Sequence, residues 1–167
     1  SPENAPSKAL DICWKFGSGP VIISNDQRLV DTGITPLLQK EMGAALWDPE
    51  KGDENIHIAE KAKTGVVFAE YGLTESGGIV LFSAPERGRS VSLLPEASLF
   101  VLRKSTILPR VAQLAQKLHD MAQEGQRMPS CINLIGGPSS TADIELIKVV
   151  GVHGPVHATY LIIDDCA

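Results

Sequence analysis

The stretch that decides the fold reads INLIGGPSSTADIELIKVVGVHGPVH and covers residues 132–157. It opens with an apolar run at 132–135, breaks at a GGP turn, and continues with a run of helical character at 142–150. Gly151 closes that run, and a second turn leads into another apolar run at 160–163. This order predicts a strand, a helix and a strand, which is a βαβ unit with two parallel strands in a covered sheet.

The turn before the predicted helix is a candidate binding site. Ser140 is placed to cap the helix, and Asp143 completes an S-x-x-D capping box. The first N–H groups of a helix lack intrahelical partners and favour anions, so a phosphate, carboxylate or acyl oxygen could bind here. The alternative is a tight turn with purely structural glycines and hydroxyls, since neither a dinucleotide-binding nor a Walker pattern is present. The predicted ligand-binding residues are Gly136, Gly137, Ser139, Ser140, Thr141, Asp143 and Gly154.

The same residues resemble a known family. GPSSTADIE at 137–145 and GVHGP at 151–155 are similar, in order and spacing, to the paired motifs G-P-S-x-T-x-D-I-E and G-x-H-G-P of the LUD domain. The likeness is closest to the lactate-utilisation protein C (LutC/YkgG) family, and it extends to ESG at 75–77 and SLLP at 92–95. Two linked motifs of this length are much more specific than a single glycine turn.

The resemblance implies the fold. LUD domains share the architecture of NagB, RpiA and the type I CoA transferases, an open, mainly parallel, Rossmann-like sheet with helices on both faces. Strand and helix patterns that alternate along the chain also favour an α/β fold. Such sheets bind ligands beyond the carboxyl ends of their strands, where we expect the glycine turn and the His153 turn. We interpret residues 1–167 as a single domain that lacks part of the family's N-terminal segment.

The rest of the chain yields predicted elements of differing clarity. Residues 106–123 form the clearest helix, because their apolar side chains recur at helical intervals. Residues 1–16 are predicted to be an extended or loosely ordered lead. Short apolar runs predict strands at 21–24, 66–69, 79–82 and 99–102.

Two residues are candidates for catalysis. Glu75 lies beside Ser76 and two glycines in a predicted turn between buried strands, where desolvation would raise the pKa of a carboxyl group. Such a group suits general acid–base catalysis or acyl transfer; the alternative is an exposed acid in a hairpin turn, and Glu70 is an internal rival. His153 is the best candidate for a proton donor or ligand-binding group, because histidine titrates near neutrality. Its alternative role is that of a hydrogen-bonded anchor of the turn.

Composition limits the functional classes. The chain has 167 residues, a net charge of −5 and no basic block, which argues against binding to nucleic acid or anionic membranes. Its apolar runs are much shorter than the roughly 20 residues of a membrane span, and its polar N-terminus shows no signal peptide. The three cysteines, Cys13, Cys131 and Cys166, are isolated. We therefore expect a cytoplasmic chain with no metal and no cofactor of its own.

The resemblance also implies a function. The family takes part in the oxidation of L-lactate to pyruvate together with iron–sulfur partner proteins, which would hold the electron carriers. This chain would then be a binding or assembly subunit with a pocket for a small organic anion, and it could form oligomers. One alternative is a stand-alone enzyme similar to an acyl-CoA transferase or a sugar-phosphate isomerase, with Glu75 as nucleophile or base. A further alternative is a ligand-sensing regulatory module.

Overall fold

The computed structural model describes residues 2–142 and 147–166. The strands in this part of the chain are β1 (Val21–Ile23), β2 (Ala45–Leu46), β3 (Thr64–Phe68), β4 (Tyr71–Leu73), β5 (Gly78–Phe82), β6 (Ala97–Arg103), β7 (Ile107–Leu108), β8 (Ile132–Ile135), β9 (Ser140–Thr141), β10 (Val149–Val150) and β11 (His157–Ile163). The helices are α1 (Ala5–Lys15), α2 (Gln27–Asp31), α3 (Ile34–Met42), α4 (Glu54–Lys61), α5 (Ser90–Leu93) and α6 (Val111–Gln123).

Five parallel strands form the central sheet, in the spatial order β2-β1-β3-β6-β11. Within this sheet, β1, β3, β6 and β11 follow one another in chain order, whereas β2 lies on the other side of β1. The connections therefore reverse direction between β1 and β3, which makes this position a topological switch point. All of β3 and all of β6 except Arg103 are buried, so the core follows these two strands. The prediction of an α/β fold with a mainly parallel sheet is confirmed.

Helices α1, α2 and α3 cover one face of the central sheet. Alternate strand residues point toward them, because successive side chains of a strand lie on opposite faces. Ile23, Val66 and Leu99 are fully buried on this face. They belong to the same core as Leu29 of α2 and Leu38 of α3.

The other face is covered by α4, α5 and a second sheet in the order β7-β4-β5-β8. Phe100 of β6 belongs to the core on this side, together with Val91 of α5 and Ile79 of β5. Helix α6 lies on the outer side of the second sheet, where Leu114 packs with Val80. Helices thus lie on both faces of the central sheet, as predicted, and the second sheet is an addition that the strand pattern did not indicate.

The predicted βαβ unit is wrong. Strand β8 belongs to the second sheet and runs antiparallel to β5, with Ile135 opposite Ile79. Strand β11 belongs to the central sheet and runs parallel to β6. The two apolar runs are therefore not neighbours, because each finds its partner in a strand that comes much earlier in the chain.

The predicted helix at 142–150 is also wrong in the part that is described. Ser140 and Thr141 pair antiparallel with Val150 and Val149. Valine is β-branched and favours a strand over a helix, so local propensity agrees with the observed pairing. The middle of the predicted helix, residues 143–146, lies outside the described residues.

Two further predictions, for residues 1–16 and for residues 106–123, need correction. Residues 5–15, predicted as extended, form α1, and the spacing of Ala5, Ala9 and Cys13 puts three buried residues on one helical face. Burial raises the pKa of the Cys13 thiol to about 12, so it stays protonated. The helix predicted at 106–123 begins only at Val111, because residues 107–108 pair with β4.

No helix among the described residues is long and apolar enough to cross a bilayer.

Replacement of Gly65 by alanine tests the contact between β3 and α5. A Cβ atom at Gly65 would lie 1.8 Å from the carbonyl oxygen of Val91 and 3.0 Å from Cγ of Pro95. We expect Gly65→Ala to lower the free energy of unfolding by about 1–3 kcal/mol or more, because backbone must move to admit the methyl group. Urea denaturation followed by circular dichroism measures the change.

Gly136→Ala is the matched control, because nothing lies within 4 Å of a Cβ atom placed there. We expect a change of less than about 0.5 kcal/mol in this variant. Equal losses of stability in the two variants would contradict the described packing of α5 on β3.

Candidate functional site

A cavity of about 260 Å³ lies between the turn that follows β8 and the turn that precedes β11. We call it the His153 cavity. Five residues that the sequence singled out line it, four from the predicted ligand site and one catalytic candidate. These residues are Gly136, Gly137, Ser139, His153 and Gly154. Residues that are up to 18 positions apart in the sequence thus converge on one space, although the described part of the segment between them is not helical as predicted.

Backbone hydrogen bonds hold the two turns together. The N–H of Ser139 donates to the carbonyl of Pro155, and the N–H of Gly151 donates to the carbonyl of Ser139, both at 2.9 Å. The turns pack so closely that a Cβ atom on Gly154 would lie 3.2 Å from Cβ of Ser139. A third bond, from the N–H of Val156 to the carbonyl of Glu96 at 2.8 Å, ties both turns to the start of β6. The cavity therefore has a fixed backbone frame.

The wall of the cavity combines apolar and polar residues. Phe100 is buried beneath it, and Leu93, Leu134, Ile135 and Ala158 extend the apolar surface. The polar side chains among the lining residues belong to His153 and Ser139, and three glycines complete the wall. Small-molecule sites commonly combine a mainly apolar wall with a few polar groups, and their volumes begin at about 300 Å³. The cavity has this mixed character, and its volume of about 260 Å³ is slightly below that range.

Tyr160 supports the glycine turn from the sheet. Burial raises the pKa of Tyr160, while a hydrogen bond with the backbone of Gly137 acts in the opposite direction. The Tyr160 ring also packs against Phe100, with 5.8 Å between ring centroids. Sequence reasoning placed Tyr160 only in a strand, because nothing local shows that its hydroxyl reaches the turn.

The other predicted ligand-binding residues are placed differently. Ser140 and Thr141 lie in β9 and are not in the wall of the cavity. Ser140 faces Val150 across a strand pair, so it does not cap a helix as predicted. Asp143 lies outside the described residues. Ligand binding by any of these residues stays a prediction.

The position of the two turns also differs from the prediction. His157, the first residue of β11, is paired with Ala97, the first residue of β6. The His153 turn comes just before this pair, so it lies at the amino edge of the central sheet. The expectation that it lies beyond the carboxyl ends of the strands is therefore wrong.

Glu75 does not join the cavity. It is exposed in the turn between β4 and β5, so the expected desolvation of its carboxylate is wrong. Its Oε1 atom accepts a hydrogen bond from the N–H of Val111 at 2.6 Å, and its own N–H donates to the carbonyl of Pro109 at 3.1 Å. Glu75 thus caps the start of α6, where a carboxylate satisfies an N–H group that lacks an intrahelical partner. A catalytic role for Glu75 stays a prediction.

Comparison with known proteins identifies the family. The LUD domain matches residues 1–163. The chain belongs to the LUD domain family. The resemblance carried by the two glycine motifs is thereby confirmed.

Relatives match this LUD chain over nearly its full length. The protein named uncharacterized protein YkgG of Escherichia coli K12 is 69% identical over 166 residues, which cover 99% of this chain and 72% of that protein. Lactate utilization protein C of Macrococcus caseolyticus is 48% identical, with 98% of this chain and 69% of that protein covered. Lactate utilization protein C of Bacillus subtilis is 47% identical, with 90% and 65% covered.

A solved structure shares the fold of this LUD chain. The crystal structure of a DUF162 family protein from Deinococcus radiodurans aligns with a TM-score of 0.51 at 16% sequence identity. The alignment covers 97% of this chain and 98% of that chain. At this level of identity the likeness concerns the fold alone.

The LUD chain also carries a half-buried cluster of ion pairs at the carboxyl ends of β1 and β3. Nη2 of Arg28 donates to Oδ2 of Asp26 at 2.6 Å and to Oε1 of Glu70 at 2.8 Å. The guanidinium of Arg28 lies 4.5 Å from the centroid of the Phe68 ring. Arg87 donates to the same oxygen of Glu70. Two arginines and two carboxylates thus balance one another, and they join α2 to the ends of β3 and β5.

The cluster sets the protonation state of Asp26. Burial alone would raise the pKa of Asp26, but hydrogen bonds and positive charge from Arg28, with the charge of Arg87, outweigh burial and hold the pKa below its ordinary value. Glu70, the rival catalytic candidate, is an ion-pair partner of both arginines. Sequence reasoning missed this cluster, because Arg28 and Glu70 are 42 positions apart.

Replacement of Asp26 by asparagine tests the cluster. We expect Asp26→Asn to lower the free energy of unfolding by about 1–3 kcal/mol at pH 7, because Arg28 loses a buried charged partner. The pKa of Asp26 is lower in the folded than in the unfolded state. Its stabilising contribution is therefore present above about pH 4 and is lost as the pH falls through the folded-state pKa. Urea denaturation at pH 7 and at pH 3 measures both effects.

Asp31→Asn is the control, because Asp31 is exposed on the same helix. We expect wild-type pH dependence in this variant and a flatter dependence in Asp26→Asn. Identical pH profiles for the wild type and Asp26→Asn would contradict the assigned role of the cluster.

Proposed function

We propose that this chain is a component of L-lactate utilisation and that it binds a small carboxylate, L-lactate or pyruvate, in the His153 cavity. The relatives named lactate utilization protein C, from Macrococcus caseolyticus and Bacillus subtilis, support the lactate role. One observation supports the binding role above all others. The two glycine motifs converge on a single cavity, which brings Ser139 and His153 to the same wall.

The chemistry of the wall suits a short 2-oxo or 2-hydroxy acid. A carboxylate accepts hydrogen bonds, and the hydroxyl of Ser139 and the imidazole of His153 are donors of the required kind. The methyl group of the ligand would lie against Phe100 and Ala158, which form part of the apolar wall. The glycines admit the ligand close to the backbone, because no Cβ atom fills that space.

The proposal assigns electron transfer to iron–sulfur partner proteins. The three cysteines of this chain are free and lie in different segments of the fold. Cys13 is buried in α1, Cys131 is half-buried just before β8, and Cys166 is exposed after β11. The role proposed here is therefore binding and assembly in the cytoplasm, and the partners would carry out the redox step.

An apolar surface beside the cavity supports an assembly role. Strand β11 is at the edge of the central sheet, and its Tyr160 and Ile162 are 37% and 52% exposed. Both residues line a neighbouring apolar cavity of about 190 Å³ together with Leu102 and Ile107. Exposed apolar surfaces of this kind are typical of protein interaction sites.

Replacement of His153 by glutamine tests the proposed binding site. We expect the wild-type chain to bind pyruvate or L-lactate saturably in isothermal titration calorimetry. His153→Gln should weaken that binding about tenfold, because it removes a charge-assisted hydrogen bond worth about 1.5 kcal/mol or more. Ser139→Ala should weaken it in the same direction, by about threefold to tenfold.

His119→Gln is the matched control, because His119 is an exposed histidine of α6 that does not line the cavity. We expect wild-type affinity in this variant. The proposed site would be refuted if both acids fail to bind the wild type, or if His153→Gln and Ser139→Ala bind them as tightly as His119→Gln.

A further inference from the structure

A second cavity lies at the other end of the central strands, opposite the end that carries the His153 turn. It is a recess of about 20 Å³ at the carboxyl ends of β1 and β3, beside the topological switch point. Its wall includes Ser24, Phe68, Arg87, Arg89, Ser92 and Asn133. Open α/β sheets bind ligands at this position, because the connecting loops separate there and leave a crevice. We call this space the carboxyl-edge crevice.

The hydroxyl of Ser24 has no hydrogen-bond partner among the described residues, although Ser24 is only 2% exposed. The backbone of Ser24 is satisfied, since its N–H donates to the carbonyl of Val66 at 3.0 Å. Ser92, on the same wall, already donates its hydroxyl to the carbonyl of Arg89 at 3.1 Å. A buried hydroxyl without a partner costs free energy, so Ser24 is suited to a ligand atom placed in the recess.

The loop between β5 and α5 is fixed over the crevice. The N–H of Asn25 donates to the carbonyl of Glu86 at 3.0 Å, and Nε1 of Trp47 donates to the carbonyl of Pro85 at 2.8 Å. The backbone of Gly88 packs on Trp47 so closely that a Cβ atom there would lie 2.1 Å from the indole ring. The arginines on either side of Gly88 therefore have a backbone position that is set by the fold.

The charges of the crevice leave one arginine unbalanced. Asp26 and Glu70 together offset the charges of Arg28 and Arg87. Arg89 is exposed at the rim and forms no ion pair with any residue of 2–142 or 147–166. The rim thus carries a positive charge that is available to an anion, within the same wall as the buried hydroxyl.

A larger cavity adjoins the recess. A neighbouring cavity of about 750 Å³ shares Phe82, Ser83 and Arg87 with its wall, and it extends to Arg127 and Met128. The recess itself has room for about one water-sized group, which corresponds to one oxygen of an anion. The larger cavity has room for the rest of a metabolite.

We propose that the carboxyl-edge crevice is a second ligand site, which binds the oxyanion group of a small phosphorylated or carboxylated metabolite. One oxygen of the anion accepts the hydrogen bond of Ser24, and Arg89 supplies the opposing charge. The remainder of the ligand extends into the larger cavity. The site is separate from the His153 cavity, although Ser92 belongs to both walls.

Titration of the whole chain with inorganic phosphate and, separately, with acetate tests this proposal. We expect at least one of the two anions to bind saturably by isothermal titration calorimetry at constant ionic strength. Tighter binding of phosphate points to a phosphorylated ligand, and tighter binding of acetate points to a carboxylate. Ser24→Ala and Arg89→Gln should each weaken the binding at least about tenfold, because each removes a hydrogen bond or charge to an ion.

Ser24→Ala is suited to this test because removal of a partnerless hydroxyl leaves the fold intact. Arg110→Gln is the charge-matched control, since Arg110 is exposed and does not line the crevice. His153→Gln should retain phosphate or acetate binding at this site, which separates the result from that of the His153 cavity. The proposal is overturned if neither anion binds saturably, if Ser24→Ala and Arg89→Gln bind like Arg110→Gln, or if only His153→Gln loses binding.

Discussion

The parallel pairing of β11 with β6 is the constraint on which the rest of the structure depends. Seven residues of β11 pair in register with the whole of β6, from His157 opposite Ala97 to Ile163 opposite Arg103. This register fixes where the chain enters the sheet, and it brings the His153 turn against the connection between α5 and β6. A shift by one residue would move every side chain of β11 to the other face. The turn, the cavity and the support from Tyr160 would then be lost together.

The amino ends and the carboxyl ends of the central strands carry different functional groups. At the amino edge, two turns rich in glycine frame an apolar cavity with one histidine and one serine. At the carboxyl edge, a balanced cluster of two arginines and two carboxylates borders a recess with a partnerless hydroxyl. The short helix α5 lies between them, and its Ser92 contributes to both walls. The two proposed ligand sites are therefore neighbours on either side of α5.

Local patterns predicted the strands and the proximity of the two glycine motifs better than the structure that joins those motifs. Buried apolar runs identified four of the five strands of the central sheet, all except β2, because a run of valine, isoleucine and leucine has few other ways to be buried. Residues of both glycine motifs line the same cavity, so the two motifs lie close together in the structure. The helix assigned at 142–150 was wrong in part, because Val149 and Val150 fit a helical spacing as well as a strand, and only the partner at 140–141 decides between them.

Long-range partners account for most of what sequence reasoning missed. Glu75 was expected to be desolvated, but the residue that it caps, Val111, is 36 positions away. The ion pair of Arg28 with Glu70 and the tight contact of Gly88 with Trp47 likewise depend on segments that are distant in the chain. Such contacts follow from sheet order and register, and one sequence carries no local signal of either.

The most direct test of the central claim is lactate-dependent dye reduction by the proposed iron–sulfur partner proteins, measured without this chain, with the wild-type chain and with His153→Gln. The account predicts low activity without the chain, full activity with the wild type, and reduced activity with His153→Gln at subsaturating L-lactate. Full activity without the chain would contradict its place in lactate oxidation. Full activity with His153→Gln at every lactate concentration would contradict the role of the cavity.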